Sequence, residues 1–257
     1  MTDLGDRVNQ ISNPQQAVEQ FVGEQFTEWL LNYVQNTMKE WPVTKKLSMI
    51  QTRMEKLKKF MLQRFLVHEA FLGTKESDPG FIGFVIANLS ESNEPEAESA
   101  LEILEQRKRL EESQVQHSHR SHRELWLRML KSLGATSEEI SRIQPKAVTR
   151  ESVAEVSDIY STSEWQIAVG AFIAYDWSTI FEYQVLAQLV KNNTPTTEKE
   201  LEVFGQFVHN SAFSISTGHV LDKLVFDQRS KQLVWVGSSK LLQAKKVFVE
   251  ALAKYLE

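Results

Sequence analysis

The stretch from Trp165 to Lys191 does most to limit what this chain can become. It runs without a proline and with one glycine, Gly170. Val169, Phe172, Ile173, Ile180, Tyr183 and Val190 fall on it at helical spacing, so it reads as one long helix with a wide apolar face. Such a helix needs other helices alongside it, and the remainder of the chain supplies them. The 257 residues hold only 6 prolines and 10 glycines, few for a many-turned sheet.

Taken in order, residues 1–13 are polar and read as a frayed terminus, with Asn13-Pro14 as a helix entry. Ala17 to Lys39 carries Val18, Phe21, Val22, Phe26, Trp29, Leu30 and Tyr33 at helical spacing, and Trp41-Pro42 breaks it. A second helix runs from Ser48 to Gly73. Phe81 to Leu89 is a densely apolar segment, a helix or less readily a strand, since length alone does not separate the two. Ser92 to Gln116 is charged and reads as an inserted, solvent-facing helix with a connection. His122, Leu125, Trp126, Met129 and Leu133 form the stripe of the next helix, which Gly134 stops. Thr136 or Ser137 caps a short helix, and Pro145 to Ser161 reads as a linker with some helical character. After a loop at Asn192–Thr197, the Thr197-Glu-Lys-Glu capping box opens a helix through Leu201, Phe204, Val208 and Phe213. Leu233 to Val236 reads as a short strand and Leu241 to Leu256 as the closing helix. The expectation is an all-α fold, a bundle of about seven to eight helices forming a single domain over 1–257.

Composition excludes several functions. With 29 basic and 34 acidic residues the formal net charge is −5, which gives no electrostatic case for nucleic acid. No apolar run approaches the roughly 18 residues of a membrane span, so no membrane partner is expected and the cytoplasm is the expected compartment. Cysteine is absent, which removes disulfides, thiolate metal ligands and a cysteine nucleophile together.

Four polar residues stand where a bundle core should not hold them without partners. His122 heads its apolar stripe. Glu91 follows Phe84 and Ala87 on one face. Asp176 interrupts the stripe of Val169, Phe172, Ile180 and Tyr183, and His209 lies among Gly205, Ala212 and Phe213. Carboxylates and imidazoles projecting inward from several helices are how bundles build dinuclear iron or manganese sites. Each also has a plainer reading: the histidines as hydrogen-bonded core residues, Asp176 as the partner of an arginine such as Arg53 or Arg64, and Glu91 as an exposed residue beside a loop.

From about Lys45 to Leu224 the sequence resembles the haem-oxygenase-like helical proteins, and within them the branch related to the chlamydial protein associating with death domains and to the diiron oxidases. The residues that carry the resemblance are Lys46-Leu-Ser, Gln63-Arg-Phe, Asn88-Leu-x-Glu91, Ser121-His122-x-x-Leu-Trp126 leading to Leu133-Gly134, Gly170-Ala-x-x-Ala-Tyr-Asp176, and the late His209. The resemblance implies metal ligands at Glu91, His122, Asp176 and His209, with Asp176 where the family usually has Glu. Glu112 substitutes for Glu91 if the inserted segment is aligned differently. The late motif departs from the family, because Phe213 and Ser216 occupy its acidic and final histidine positions; a shifted register recruits His219 and Asp222 instead. In one continuous helix His209 and His219 would stand about 15 Å apart, too far to share a site.

The resemblance therefore implies a non-haem iron oxygenase or oxidase, with one or two ferrous ions, acting with dioxygen on a small organic or amino-acid-like substrate. A homodimer stays open. The alternatives are a metal-free helical binding or interaction protein and a cofactorless oxidase of the same fold, in which histidines and arginines hold substrate and oxygen. A thiaminase-type activity needs the cysteine this chain lacks. A haem-binding relative would need a histidine near the N-terminus, and none precedes His68, which reads as structural.

Overall fold

In the computed structural model, residues 24–73, 79–93, 97–112, 121–209 and 227–257 are described. They form eleven α-helices and no strand. These are α1 (Glu24–Glu40), α2 (Pro42–Met49), α3 (Met54–Leu72), α4 (Gly80–Ser90), α5 (Ala97–Glu112), α6 (His122–Ser132), α7 (Ser137–Ser141), α8 (Ala147–Tyr160), α9 (Trp165–Asn193), α10 (Glu202–His209) and α11 (Gln228–Ala253). The all-α expectation holds. The helices outnumber the seven or eight read from the sequence, partly because the stretch before Gly73 splits. Pro42 opens α2 as its first residue, residues 50–53 are extended, and α3 begins at Met54.

α9 is the axis. Residues Ala168 through Thr179 are buried without interruption, so this helix is covered on every face and is enclosed rather than laid on a surface. α1, α2, α4, α8, α10 and α11 all pack on it, α11 most extensively. Two glycines set the α9–α11 crossing. A Cβ on Gly170 would stand 2.0 Å from the Val234 carbonyl oxygen, and one on Gly237 would stand 2.0 Å from that of Ile167. Only residues without a Cβ let the backbones come so close. Ser238 Oγ bridges the crossing, 2.8 Å from the Gly170 carbonyl oxygen and 3.0 Å from that of Val234.

Local signals explain most boundaries. Ser121 caps α6 with a complete capping box to Glu124. At the other end Gly134 adopts φ 81°, and the amides of Gly134 and Ala135 reach back to Lys131 and Leu130, both at 3.0 Å, as a Schellman turn. Thr136 caps α7 with a second box to Glu139. Asp227 caps α11 by accepting from the Ser230 amide at 2.6 Å.

Three expectations are corrected. The 145–161 segment is helix α8 rather than a linker, with Val156, Ile159 and Tyr160 buried. Leu233–Val236 lies inside α11 and is not a strand, because Val234 is buried against α9 within a capped helix. The 92–116 segment is not merely solvent-facing: Ala97, Ala100, Leu104 and Arg107 of α5 are buried on one face. Phe81–Leu89 is helical, as α4. The Asn13-Pro14 entry and the helix beyond His209 lie outside the described residues.

Candidate interior site

Polar side chains enter the core mainly from α9, at three levels. At the first, Asp176 of α9 meets Arg107 of α5. The guanidinium Nη2 and Nε lie 3.1 and 3.3 Å from Asp176 Oδ1, and both residues are buried. Tyr160, the last residue of α8, is wholly buried beside them, its ring stacked on Phe81 at 5.3 Å. Its backbone is fixed from α4, since Asn88 Nδ2 donates to the carbonyls of Tyr160 and Thr162. The Tyr160 hydroxyl is buried and has no hydrogen-bond partner among the described residues. Burial first, then the neighbouring Tyr175 and Asp176, push this phenol well above the ordinary tyrosine range and keep it protonated. Tyr175 itself stacks on Phe71 at 4.4 Å.

Six residues on, nearly two turns, Glu182 of α9 accepts from Arg64 of α3 through both carboxylate oxygens, at 2.6 and 2.9 Å. Lys245 of α11 reaches the same carboxylate at 2.9 Å. Burial alone would raise the Glu182 carboxyl, but Arg64 and Lys245 together outweigh it and hold it below the usual range.

At the third level, His68 of α3 and His122 of α6 meet edge to face, with ring centroids 4.7 Å apart, and both are buried. Trp126 stacks on His68 at 5.9 Å and donates its indole N–H to Tyr183 Oη at 3.2 Å. His122 Nε2 lies 3.3 Å from the Val203 carbonyl oxygen. A carbonyl can only accept, so that contact places a proton on Nε2.

The residues singled out from sequence therefore part company. His122 and Asp176 are buried in the interior as expected. Glu91 is exposed at the C-cap of α4, its plainer reading, because α4 ends one residue before it. Asp176 pairs with an arginine, but with Arg107 rather than Arg53 or Arg64. His209 closes α10 and Glu112 closes α5, and their side chains lie outside the described residues, as do His219 and Asp222 altogether. Among the described residues no three His, Cys, Asp or Glu side chains stand close enough to share a metal ion. The described part of the donor set does not fit iron. Arg107 already brings a cation to the Asp176 carboxylate that a ferrous ion would need, and Glu91 faces away from the core. The sequence alone assigns no role to Arg107, Tyr160, Glu182 or Lys245, and His68 reads as structural. Arg107 could have been found from its spacing with Ala97, Ala100 and Leu104 on one face of α5.

Comparison with known proteins agrees with the fold. The TENA/THI-4/PQQC family matches the sequence over residues 88–212. No curated protein matches the chain. Among solved structures, a CADD-like protein of unknown function from Nostoc punctiforme superposes with a TM-score of 0.69 at 14% identity, covering 89% of this chain and 94% of that one. A TenA homolog from Pseudomonas syringae pv. tomato gives 0.67 at 11% identity, covering 95% and 98%. A domain of unknown function with a heme oxygenase-like fold from Shewanella denitrificans gives 0.65 at 11%, covering 88% and 90%. These likenesses do not single out the chlamydial or diiron branch. No described helix is long and apolar enough to cross a membrane. Residues 88–212 thus match the TENA/THI-4/PQQC family, within a chain that carries the haem-oxygenase-like helical fold as a whole.

Proposed function

We propose that this chain holds a small organic molecule in the bundle interior, against Tyr160, Tyr175, Asp176 and Arg107, and does so without iron. One observation carries the reading: a wholly buried tyrosine hydroxyl with no partner among the described residues, set beside a carboxylate already occupied by a guanidinium. A buried hydroxyl without a hydrogen bond costs about 1–3 kcal/mol and is retained where something else supplies the bond. The Tyr160 hydroxyl stays protonated, so it can donate to a ligand oxygen or nitrogen, and its oxygen can accept in return. The Arg107–Asp176 pair offers both a donor face and an acceptor face nearby. The stacked Phe81 and Phe71 give apolar walls that exclude water. The same groups, with His68 and His122 two levels away, suit the cofactorless branch of chemistry better than a metal centre. The iron-dependent oxygenase reading would need Asp176 released from Arg107 and the remaining ligands drawn from His209, His219 and Asp222.

Tyr160→Phe separates a ligand-binding hydroxyl from a structural one. Without ligand, the variant is expected to be more stable than wild type by about 1 kcal/mol, because it deletes an unsatisfied buried group. In a thermal-shift screen of small polar aromatic and carboxylic molecules, compounds that stabilise wild type should lose most of that effect on Tyr160→Phe. A variant less stable than wild type in the absence of ligand, with unchanged ligand shifts, would remove Tyr160 from the site.

A further inference from the structure

The Arg64–Glu182–Lys245 cluster ties three helices together and is not used by the reading above. It is fully enclosed: Arg64, Glu182 and Lys245 are 2%, 4% and 6% exposed. Two cations share one carboxylate, so the cluster carries one surplus positive charge where solvent cannot screen it. The Lys245 amine is otherwise well held, donating to Ser178 Oγ at 2.9 Å and Thr179 Oγ1 at 3.0 Å. The Tyr175 ring centroid lies 5.1 Å from its nitrogen, and Phe248 packs under the Arg64 guanidinium at 5.9 Å. The charges acting on Lys245 are Glu182 and Asp176 of α9 and Arg64 of α3, while α2 buries only Val43, Thr44 and Leu47.

We propose that this cluster is an alkaline-tightening clamp, joining α3, α9 and α11 more firmly once Lys245 gives up its proton. The loss removes the surplus cation and leaves the two-pronged Arg64–Glu182 pair balanced. The amine keeps its place, because a neutral amine still donates two hydrogen bonds and the Thr179 hydroxyl can donate to its lone pair, while Ser178 Oγ, whose own proton goes to the Tyr175 carbonyl at 3.1 Å, continues to accept. Burial first, then the charge of Arg64, bring the Lys245 amine down from 10.5 to about 8, against the upward pull of Glu182 and Asp176. In the unfolded chain the amine regains its ordinary value. Between the two values the unfolded chain binds more protons than the folded one, so stability rises as pH climbs through this window and is lowest below it. The full window corresponds to a folding equilibrium constant larger by on the order of a hundredfold. The clamp sits next to Tyr175 and Asp176, so the wall of the interior site firms with it, whether or not that site takes the ligand proposed above.

The test is thermal unfolding of the whole chain from pH 7 to about pH 9.5, short of the range where the raised Tyr160 phenol would begin to weaken the fold. The wild-type midpoint should climb by roughly 5 °C. Lys245→Met should start higher than wild type at pH 7 and lose that climb, while Lys231, also lowered by burial on α11, contributes equally to both proteins and cancels. A wild-type midpoint that stays flat or falls overturns the clamp without any variant. Parallel curves for wild type and Lys245→Met overturn it too, as would a Lys245→Met protein unable to fold.

Discussion

Glu182→Gln should destabilise the protein by about 3–5 kcal/mol, the usual consequence of removing one partner from a buried ion cluster. The carboxylate is the only negative charge in a cluster with two cations, and it accepts through both oxygens from Arg64 and through one from Lys245. A neutral amide accepts through one oxygen and turns donors toward donors. Arg64 cannot shed its charge, since burial, which would lower it, is outweighed by Glu182 and the neighbouring tyrosines and its value ends above the ordinary one. Lys245 can, so a Glu182→Gln protein that folds should do so with the lysine neutral. Urea unfolding checks the magnitude. Adding Lys245→Met to Glu182→Gln should recover part of the loss, because it removes the cost of holding a buried lysine neutral beside the one stranded cation, Arg64; a double-mutant cycle reads that coupling. Additive losses would mean that the two residues act separately.

The second large effect is steric. Gly170→Ala and Gly237→Ala should each cost about 3 kcal/mol, the upper end of ordinary overpacking, because the new methyl group meets backbone rather than a yielding side chain. Each added Cβ would lie 2.0 Å from a carbonyl oxygen of the facing helix. The helices would have to separate, stretching the Ser238 bridge and loosening the largest helix pair of the fold. Gly134→Ala is the internal control. Its Cβ would meet nothing within 4 Å, so its cost comes from the positive φ alone and stays near 1–2 kcal/mol. Denaturant midpoints that rank Gly134→Ala above either crossing glycine in damage would contradict this packing.

The helical architecture was readable because its signals are local. The periodic apolar stripe on α6, its Gly134 stop, the Thr136 cap and the uninterrupted run that becomes α9 all depend on neighbours in sequence. The misreadings have local causes as well. Pro145 and the serines around α8 suggested a linker, yet Val156, Ile159 and Tyr160 share a face that packs on α9 and α11. Val234, Trp235 and Val236 favour strands by propensity, and tertiary packing overrode that preference inside α11. The interior site was less legible because it depends on pairing between distant segments. Asp176 was visible as a carboxylate on an apolar stripe, but its partner comes from a charged helix that reads as surface, where Arg107 is one basic residue among several. Lys245 escaped notice because α11 carries many other charged residues, and Glu182 because it is a lone glutamate on a mostly apolar helix; only the packing of α9 against α11 makes them neighbours. His68 and His122 lie on helices far apart in the chain, and only the packing of α3 against α6 sets them edge to face.

The measurement that bears most directly on the interior site is the iron content of anaerobically purified protein reconstituted with ferrous iron, beside an Asp176→Asn variant. If Arg107 holds Asp176 as an ion pair and the interior is a metal-free ligand site, both proteins should carry only background iron. One or two irons per wild-type chain, lost in Asp176→Asn, would contradict that account and return the chain to the iron-dependent oxygenases.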